Sequence, residues 1–303
     1  MTAVGRAAGT MSAVASAGEW VEGARLRTLP AALAPVIAGT GVAAYAGAVV
    51  WWRAALALVV SLALQVGVNY ANDYSDGIRG TDDLRVGPLR LVGSGAASPR
   101  AVKLAAFACF AIGAIAGLVL AAVTTWWLLL IGVAAIAAAW TYTGGPSPYG
   151  YRALGDVSVF LFFGLVAVLG TVYVQTGGLG WPAWAAAIAV GSLACAILMA
   201  NNLRDIATDA VAGKRTLAVR LGDAWARRAY VALLAIPAVI ALALAVTSTP
   251  WALLAVPGLA VAGPALRAVR RGAQGRDLIV VLKTTGLAEL AYAALLALGL
   301  ALA

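Results

Sequence analysis

Apolar residues run through this chain in long blocks divided by polar stretches, and several blocks are long enough to cross a bilayer. Residues 111–130 carry no charge, and residues 278–303 carry only Lys283 and Glu289. A crossing helix needs about 20 mostly apolar residues. Helices on the outside of a soluble domain need a polar face, and these blocks have none. The runs are rich in Ala and Leu, which favour helix. A membrane β-barrel would instead show short segments of alternating polarity. The pattern therefore predicts an all-α membrane protein, with nine spans at about 29–48, 52–71, 101–122, 125–142, 156–176, 182–201, 228–247, 250–268 and 280–301. Residues 1–15 read as a disordered tail without signal-peptide order, and residues 16–303 as one transmembrane domain.

The connections alternate in character. Loops 72–100, 143–155, 202–227 and 269–279 are charged, whereas those near 49–51, 123–124, 177–181 and 248–249 are short and uncharged. Of the 21 Lys and Arg residues only Arg53 falls near the uncharged side. The positive-inside rule then predicts a cell-membrane protein with its N-terminus and charged loops in the cytoplasm and, after nine spans, its C-terminus outside. Trp51, Trp52, Trp126, Trp127, Trp181, Trp184 and Trp251 all fall at the proposed outer ends, where an amphipathic ring suits the interface. Pro35, Pro237, Pro257 and Pro264 mark kinks or breaks within spans.

Composition narrows the chemistry. The chain is 63% hydrophobic and 11% charged, against about 25% charged in ordinary soluble chains. A net charge of +9 would suggest nucleic acid in a soluble protein; here its confinement to alternate loops points to the membrane instead, and no nucleic-acid partner is expected. There is no His, the usual neutral-pH base and metal ligand. Cys109 and Cys195 lie in apolar runs and read as packing residues. Glu289, deep in the last span, requires a hydrogen bond within the bundle, a place on a cavity wall, or a different span edge.

Two acid clusters stand at the cytoplasmic ends of spans two and six. The first reads Asn69, Asn72, Asp73 and Asp76, three and four apart, with Asp82 beyond two glycines. The second reads Asn201-Asn202-Leu203-Arg204-Asp205, with Asp209 one turn on. Packed acids repel unless a cation joins them. Oxygen donors without His or Cys suit Mg²⁺, which commonly joins a few carboxylates to phosphate oxygens. Arg79, Arg85 and Arg90 follow the first cluster, and Arg204, Lys214, Arg215 and Arg220 accompany the second, so a diphosphate could be held between them. Asp83 and Asp223 read as solvated acids or caps. A transporter with polar, broken helices is the competing class, disfavoured because the acids gather at one face.

At these residues the chain resembles the UbiA superfamily of intramembrane prenyltransferases. The resemblance rests on Asn72-Asp73-Tyr74-Ser75-Asp76 running through Gly80-Thr81-Asp82 to Arg85–Arg90, on Tyr142–Tyr151 with its Gly-Gly-Pro-Ser-Pro core, and on Asn201–Asp205 running through Gly213-Lys214-Arg215-Thr216 to Gly222. It covers residues 20–303, and it is greatest with the menaquinone-pathway branch that prenylates 1,4-dihydroxy-2-naphthoate. Two departures are Ala153, where that branch usually has Gly, and Asp156, where it usually has Glu.

The resemblance implies a nine-helix bundle with polar loops over the active site. It implies two Mg²⁺ ions, held by Asp73 or Asp76 with Asp82, Asp205 and Asp209, binding a polyprenyl diphosphate drawn from the lipid phase. Asp76 is favoured over Asp73 as ligand, and Asn72 assists as a neutral ligand or phosphate contact. Pyrophosphate departs, the naphthoate ring attacks the allylic cation, and CO₂ is lost to give a demethylmenaquinone. Lys214 or Arg215 would bind the acceptor carboxylate or the diphosphate. Asn69, Asn202, Arg79, Arg85, Arg90 and Arg204 would line the substrate site. Tyr142, Tyr149 and Tyr151 would contact the ring or close the loop, with Tyr142 favoured because it ends span four. Another aromatic acceptor or a polyol phosphate is the alternative within the class. Prenyl length and oligomeric state are not fixed by sequence.

Overall fold

A computed structural model describes residues 15–80 and 89–303. The expected tail lies almost wholly outside the described residues, as do Asp82, Asp83 and Arg85. All regular structure among the described residues is helical.

The chain opens with a short helix, α1 (Ala17–Gly23), fixed by a capping box in which Ser16 Oγ accepts from Glu19 N–H and Glu19 accepts from Ser16 N–H. After Arg25 and a 3₁₀ turn, α2 (Pro30–Tyr45) leaves at 51° to this entry segment. Pro30 sits in its first turn, where no N–H is needed. The next two helices are α3 (Trp51–Gly77) and α4 (Pro99–Val123). They are followed by α5 (Trp127–Thr141) and α6 (Gly155–Thr176). The remainder are α7 (Trp181–Val211), α8 (Leu217–Thr247), α9 (Pro250–Arg270) and α10 (Asp277–Ala301). Seven of these are long and apolar enough to cross a membrane, and the bent entry segment with α2 makes an eighth. With 15 residues, α5 reaches only about 22 Å, short of a hydrocarbon core of about 30 Å.

Helix α7 is the axis of the bundle: 78% of its apolar window is buried inside the protein, far more than in any other span. Its middle is Ala-rich, which lets neighbours approach closely. Small residues set the other crossings too. A Cβ on Gly41 of α2 would stand 2.3 Å from Ala297 Cα of α10, and one on Gly164 of α6 would stand 2.6 Å from Gly191 Cα of α7. Around Gly164, residues Phe160–Val166 form a π-helical turn inside α6. Pro257 and Pro264 divide α9 into short α and 3₁₀ pieces, as the prolines led one to expect, and Gly222 at φ 74° breaks α8 near its start.

Hydrogen bonds between loops gather at two ends. At one end Tyr45 donates to Ser248 O, Val50 N–H to Gln175, Arg53 to Val174 O and Trp181 to Thr247. The tryptophans foreseen for this end are all exposed on the bundle, Trp51 by 75% and Trp127 by 73%. The opposite end carries the polar clusters. Glu289 is fully buried among α10 and its neighbours, off the cavity wall. Neither carboxyl oxygen has a hydrogen-bond partner, so the bonded role considered for it is not observed.

Candidate active site

Helices α3 and α7 run past the apolar zone and carry Asn69–Asp76 and Asn201–Asp209 on their last turns, so these parts of the motifs are helical rather than looped. Between them and α4, α5 and α6 lies a cavity of about 1420 Å³. Its deep wall is apolar, from Val36 and Leu120 to Phe162 and Trp184. Its polar rim holds Asn69, Asn72, Asp76, Arg79 and Arg90 from the first motif region, and Asn202, Asp205, Asp209 and Lys214 from the second. An apolar chamber capped at one end by acids and cations suits an amphiphile with an anionic head.

Asp76 is the hub of the rim. Tyr151 Oη donates to its Oδ1 at 2.6 Å, Lys214 Nζ stands 3.3 Å from the same oxygen, and Arg90 Nη2 lies 3.9 Å from Oδ2. Lys214 also sits 4.7 Å above the Tyr151 ring. The chain brings Lys214 there because Gly213, at φ 72°, reverses it after α7, with Lys214 N–H donating to Asp209 O and Arg215 N–H to Tyr151 O. The two motif loops are thus tied through Tyr151.

The 142–154 loop closes the rim from above. Arg79 donates to the carbonyls of Thr143 and Gly145, and Thr143 Oγ1 donates to Asn72 Oδ1 at 2.7 Å. Tyr149 Oη donates to Ala138 O at 2.9 Å, and burial pushes its hydroxyl pKa upward; it pins the loop to α5. Tyr142 packs edge-on against Tyr149 at 5.4 Å. All three tyrosines line the cavity, but Tyr151, not the favoured Tyr142, is bonded to an acid. Ala153, where the resemblance led one to expect Gly, adopts φ 62°, a left-handed conformation that costs a non-glycine residue about 1–2 kcal/mol.

Three expected residues are placed differently. Asp73 is fully buried off the cavity, its two oxygens accepting from the N–H groups of Leu91 (2.9 Å) and Val92 (3.0 Å). The physical reason is rotation: it follows Asn72 by about 100° around the helix, which turns it to the returning 89–98 segment. Arg204 lies outside the main cavity and clamps Asp205 through two bonds of 2.6 Å. Arg215 is exposed and off the cavity. Asn69, although on the wall, spends its amide on Ala24 O and Thr28 Oγ1.

Sequence reasoning missed Gln65 and Thr28, which share that network, and Arg25, which lines the cavity from the entry segment. For Gln65 a signal existed: a polar residue four before Asn69 on an otherwise apolar helix belongs inside the bundle.

Among the described residues, no three acid, His or Cys side chains stand close enough together to form a metal site alone. The donor chemistry nevertheless fits Mg²⁺. All available donors at the rim are hard oxygens, and Mg²⁺ usually completes its shell with water and substrate phosphate.

Comparison with known proteins separates the classes left open by composition. A profile of the UbiA prenyltransferase family matches residues 32–287. The chain belongs to the UbiA prenyltransferase family. Among its relatives, the 1,4-dihydroxy-2-naphthoate octaprenyltransferase of Mycobacterium tuberculosis is 58% identical over 283 residues, covering 92% of this chain and 96% of that one. The enzyme of the same description from Mycobacterium leprae is 52% identical over 290 residues, covering 96% and 98%. The fold is similar to a UbiA homolog from Archaeoglobus fulgidus described as bound to GPP and Mg²⁺, with a TM-score of 0.68 at 15% identity over 94% of this chain and all of that one. The multi-pass membrane setting follows from the same fold.

Proposed function

We propose that this chain transfers a polyprenyl group from its diphosphate to 1,4-dihydroxy-2-naphthoate, releasing pyrophosphate and CO₂ and forming the quinol form of a demethylmenaquinone. The observation that carries this reading is the joining of an acid-and-cation rim to a lipid-sized apolar cavity, in a chain so similar to enzymes described by that activity.

Asp76, Asp82, Asp205 and Asp209 would hold two Mg²⁺ ions, with Asn72 beside them; bound there, Mg²⁺ would supply neutralising charge to the departing pyrophosphate. Asp73 holds the 89–92 segment rather than a metal. Lys214 and Arg90, now on Asp76, stand where a diphosphate would sit and add positive charge to it. Arg79 fixes the loop that carries Tyr151. The apolar wall keeps water from the allylic cation. The new bond forms at the ring carbon bearing the carboxylate, and loss of CO₂ returns its electron pair to the ring. No side-chain base is required for that step, which agrees with a chain lacking His.

The test is purified protein in detergent with labelled prenyl diphosphate and 1,4-dihydroxy-2-naphthoate. Pyrophosphate and a demethylmenaquinol, or the demethylmenaquinone that air makes of it, should appear together by mass spectrometry. Faster turnover of 4-hydroxybenzoate or homogentisate would reassign the acceptor, and movement of lipid without pyrophosphate release would restore the transporter class.

The topology we infer has nine crossings, counting α5 as a short one and the bent entry segment with α2 as the first. The N-terminus and acid rim face the cytoplasm and the C-terminus lies outside, because the cations gather at the rim end. Reporter fusions at the two termini are expected to give opposite signals; matching signals would mean an even number of crossings.

A further inference from the structure

The rim end of the bundle carries a second concentration of charge that the cavity does not use. Residues 267–277, which close α9 and open α10, hold Arg267, Arg270, Arg271 and Arg276 against the single acid Asp277. Four positive charges less one negative leave +3 on eleven residues. No residue of α8 or α9 lines the cavity, and α10 reaches it only through Leu282. These cations therefore have no part in holding the donor diphosphate.

The fold gathers them and then leaves them unmatched. Gly272 at φ 84° and Gly275 at φ 52° reverse the chain between the two helices. Arg227 of α8 staples this turn, Nη1 donating to Val269 O at 2.8 Å and Nη2 to Ala273 O at 2.9 Å. Its charge is met by Asp223, which accepts from Nε at 2.7 Å and Nη2 at 2.8 Å. Arg267 donates within its own helix, to Gly263 O at 3.4 Å. Arg270, Arg271 and Arg276 are exposed, and none of them bonds to or pairs with another residue of the chain. Beside the staple, the Arg228 guanidinium lies 4.5 Å from the centre of the Trp225 ring, which is 60% exposed. Trp20 and Trp140, the other tryptophans at this end, are partly buried.

We propose that this patch binds an anionic glycerophospholipid of the leaflet at the rim end, its headgroup phosphate among Arg270, Arg271 and Arg276 and its acyl chains along α10. Three observations favour lipid over a soluble anion. The cations end one span and immediately precede the next, which sets them at headgroup depth. Trp225 offers an exposed amphipathic ring at the same end, a residue suited to the boundary of headgroup and acyl chain. Val280, one turn into α10, is 60% exposed and continues the surface downward as hydrocarbon. Helix ends do not account for the charge. The C-terminus of α9 favours Arg267 and Arg270 in its last turn, but Arg276 stands at the positive end of α10 with only Asp277 beside it. An anion from outside the chain is what such a cation lacks.

The experiment titrates the purified full chain, in neutral detergent, with phosphatidylglycerol or phosphatidylcholine and follows the thermal midpoint. Phosphatidylglycerol should raise the midpoint of wild type and phosphatidylcholine should not. The double variant Arg270→Gln/Arg271→Gln should need about tenfold or more phosphatidylglycerol for the same rise, each cation near an anionic surface being worth on the order of fivefold. Arg270→Lys/Arg271→Lys keeps the charge and should stay within about threefold of wild type. If the Gln pair is unstable, Arg276→Gln alone carries the test, with a shift of about threefold or more. The control is Arg100→Gln/Lys103→Gln, which removes the same charge from exposed residues at the start of α4; its lipid response should match wild type. Equal losses in the two Gln pairs would mean diffuse attraction to the whole rim end and overturn the assignment. So would equal effects of the two lipids, or loss of the response in the Lys pair. Stabilisation by glycerol phosphate as large as that by the lipid would make this a small-anion site, and stabilisation by polyglutamate without lipid would give it to an acidic polypeptide; either overturns the lipid. The lipid arms need no turnover and are independent of which acceptor is prenylated. Prenyl transfer by the Arg270→Gln/Arg271→Gln protein in neutral detergent should stay within about twofold of wild type; a large loss there would tie the patch to the reaction instead.

Discussion

Asp76→Asn and Asp209→Asn should each lose about a hundredfold or more in kcat, equivalent to about 2.7 kcal/mol of transition-state stabilisation, while extracting and folding like wild type. Asparagine keeps the size and one oxygen, so Tyr151 can still donate to position 76 and the loop tie through Tyr151 survives. What is lost is charge. At position 76 that charge faces Lys214 at 3.3 Å and Arg90 at 3.9 Å. If the acids merely balanced those cations or capped the helices, each change would cost about 0.5–2 kcal/mol of stability and almost nothing in rate. If they hold a metal against the diphosphate, rate falls and stability hardly moves, because the repulsion among the acids is relieved as well. Wild-type turnover should stop with a chelator and return with Mg²⁺, and the Asp76→Asn variant should need more Mg²⁺ for half its residual rate. Chelator-resistant turnover, or near-wild-type kcat in both variants, would remove the two-cluster metal reading.

The elements that fix this rim differ in how far the sequence revealed them. Asn72, Asp76, Asp205 and Asp209 were legible because helical spacing puts them on inward faces and because a polar run at the end of an apolar helix has few other uses. The alternation of charged and uncharged loops matched the two ends that the hydrogen bonds join. The direction of Asp73 was not legible: its partners are main-chain N–H groups 18 and 19 residues later, and main-chain donors leave no mark in composition. Arg25 was invisible for a related reason. A non-glycine residue at positive φ has no sequence signature, and Arg25 reaches the cavity only through the elbow between α1 and α2 that Asn69 and Gln65 tie down. The helical reading of residues 156–176 also missed the π turn at Phe160–Val166, which lies where Gly164 meets Gly191 of α7.

Asp73→Asn is expected to damage the protein by a different route from Asp76→Asn, and the contrast separates anchoring from metal binding. Asp73 is fully buried and accepts from two main-chain N–H groups. An amide can offer only one acceptor oxygen, so its NH₂ would meet one of those N–H groups donor to donor. Leaving a buried donor unsatisfied costs about 1–3 kcal/mol. The segment so loosened carries Leu91, which is fully buried against Gly23 and Tyr70, and Arg90, which reaches Asp76. Thermal inactivation in detergent should therefore come at lower temperature, and kcat should fall by about tenfold as Arg90 loses its place at the departing charge. The Mg²⁺ concentration giving half-maximal rate should stay at the wild-type value, because no ligand has been removed. In Asp76→Asn the pattern inverts, with stability kept and the Mg²⁺ requirement raised. A variant of Asp73 that is as stable as wild type yet needs as much extra Mg²⁺ as Asp76→Asn would show that Asp73 turns from Leu91 and Val92 to the metal when substrate binds, and would overturn its assignment as an anchor.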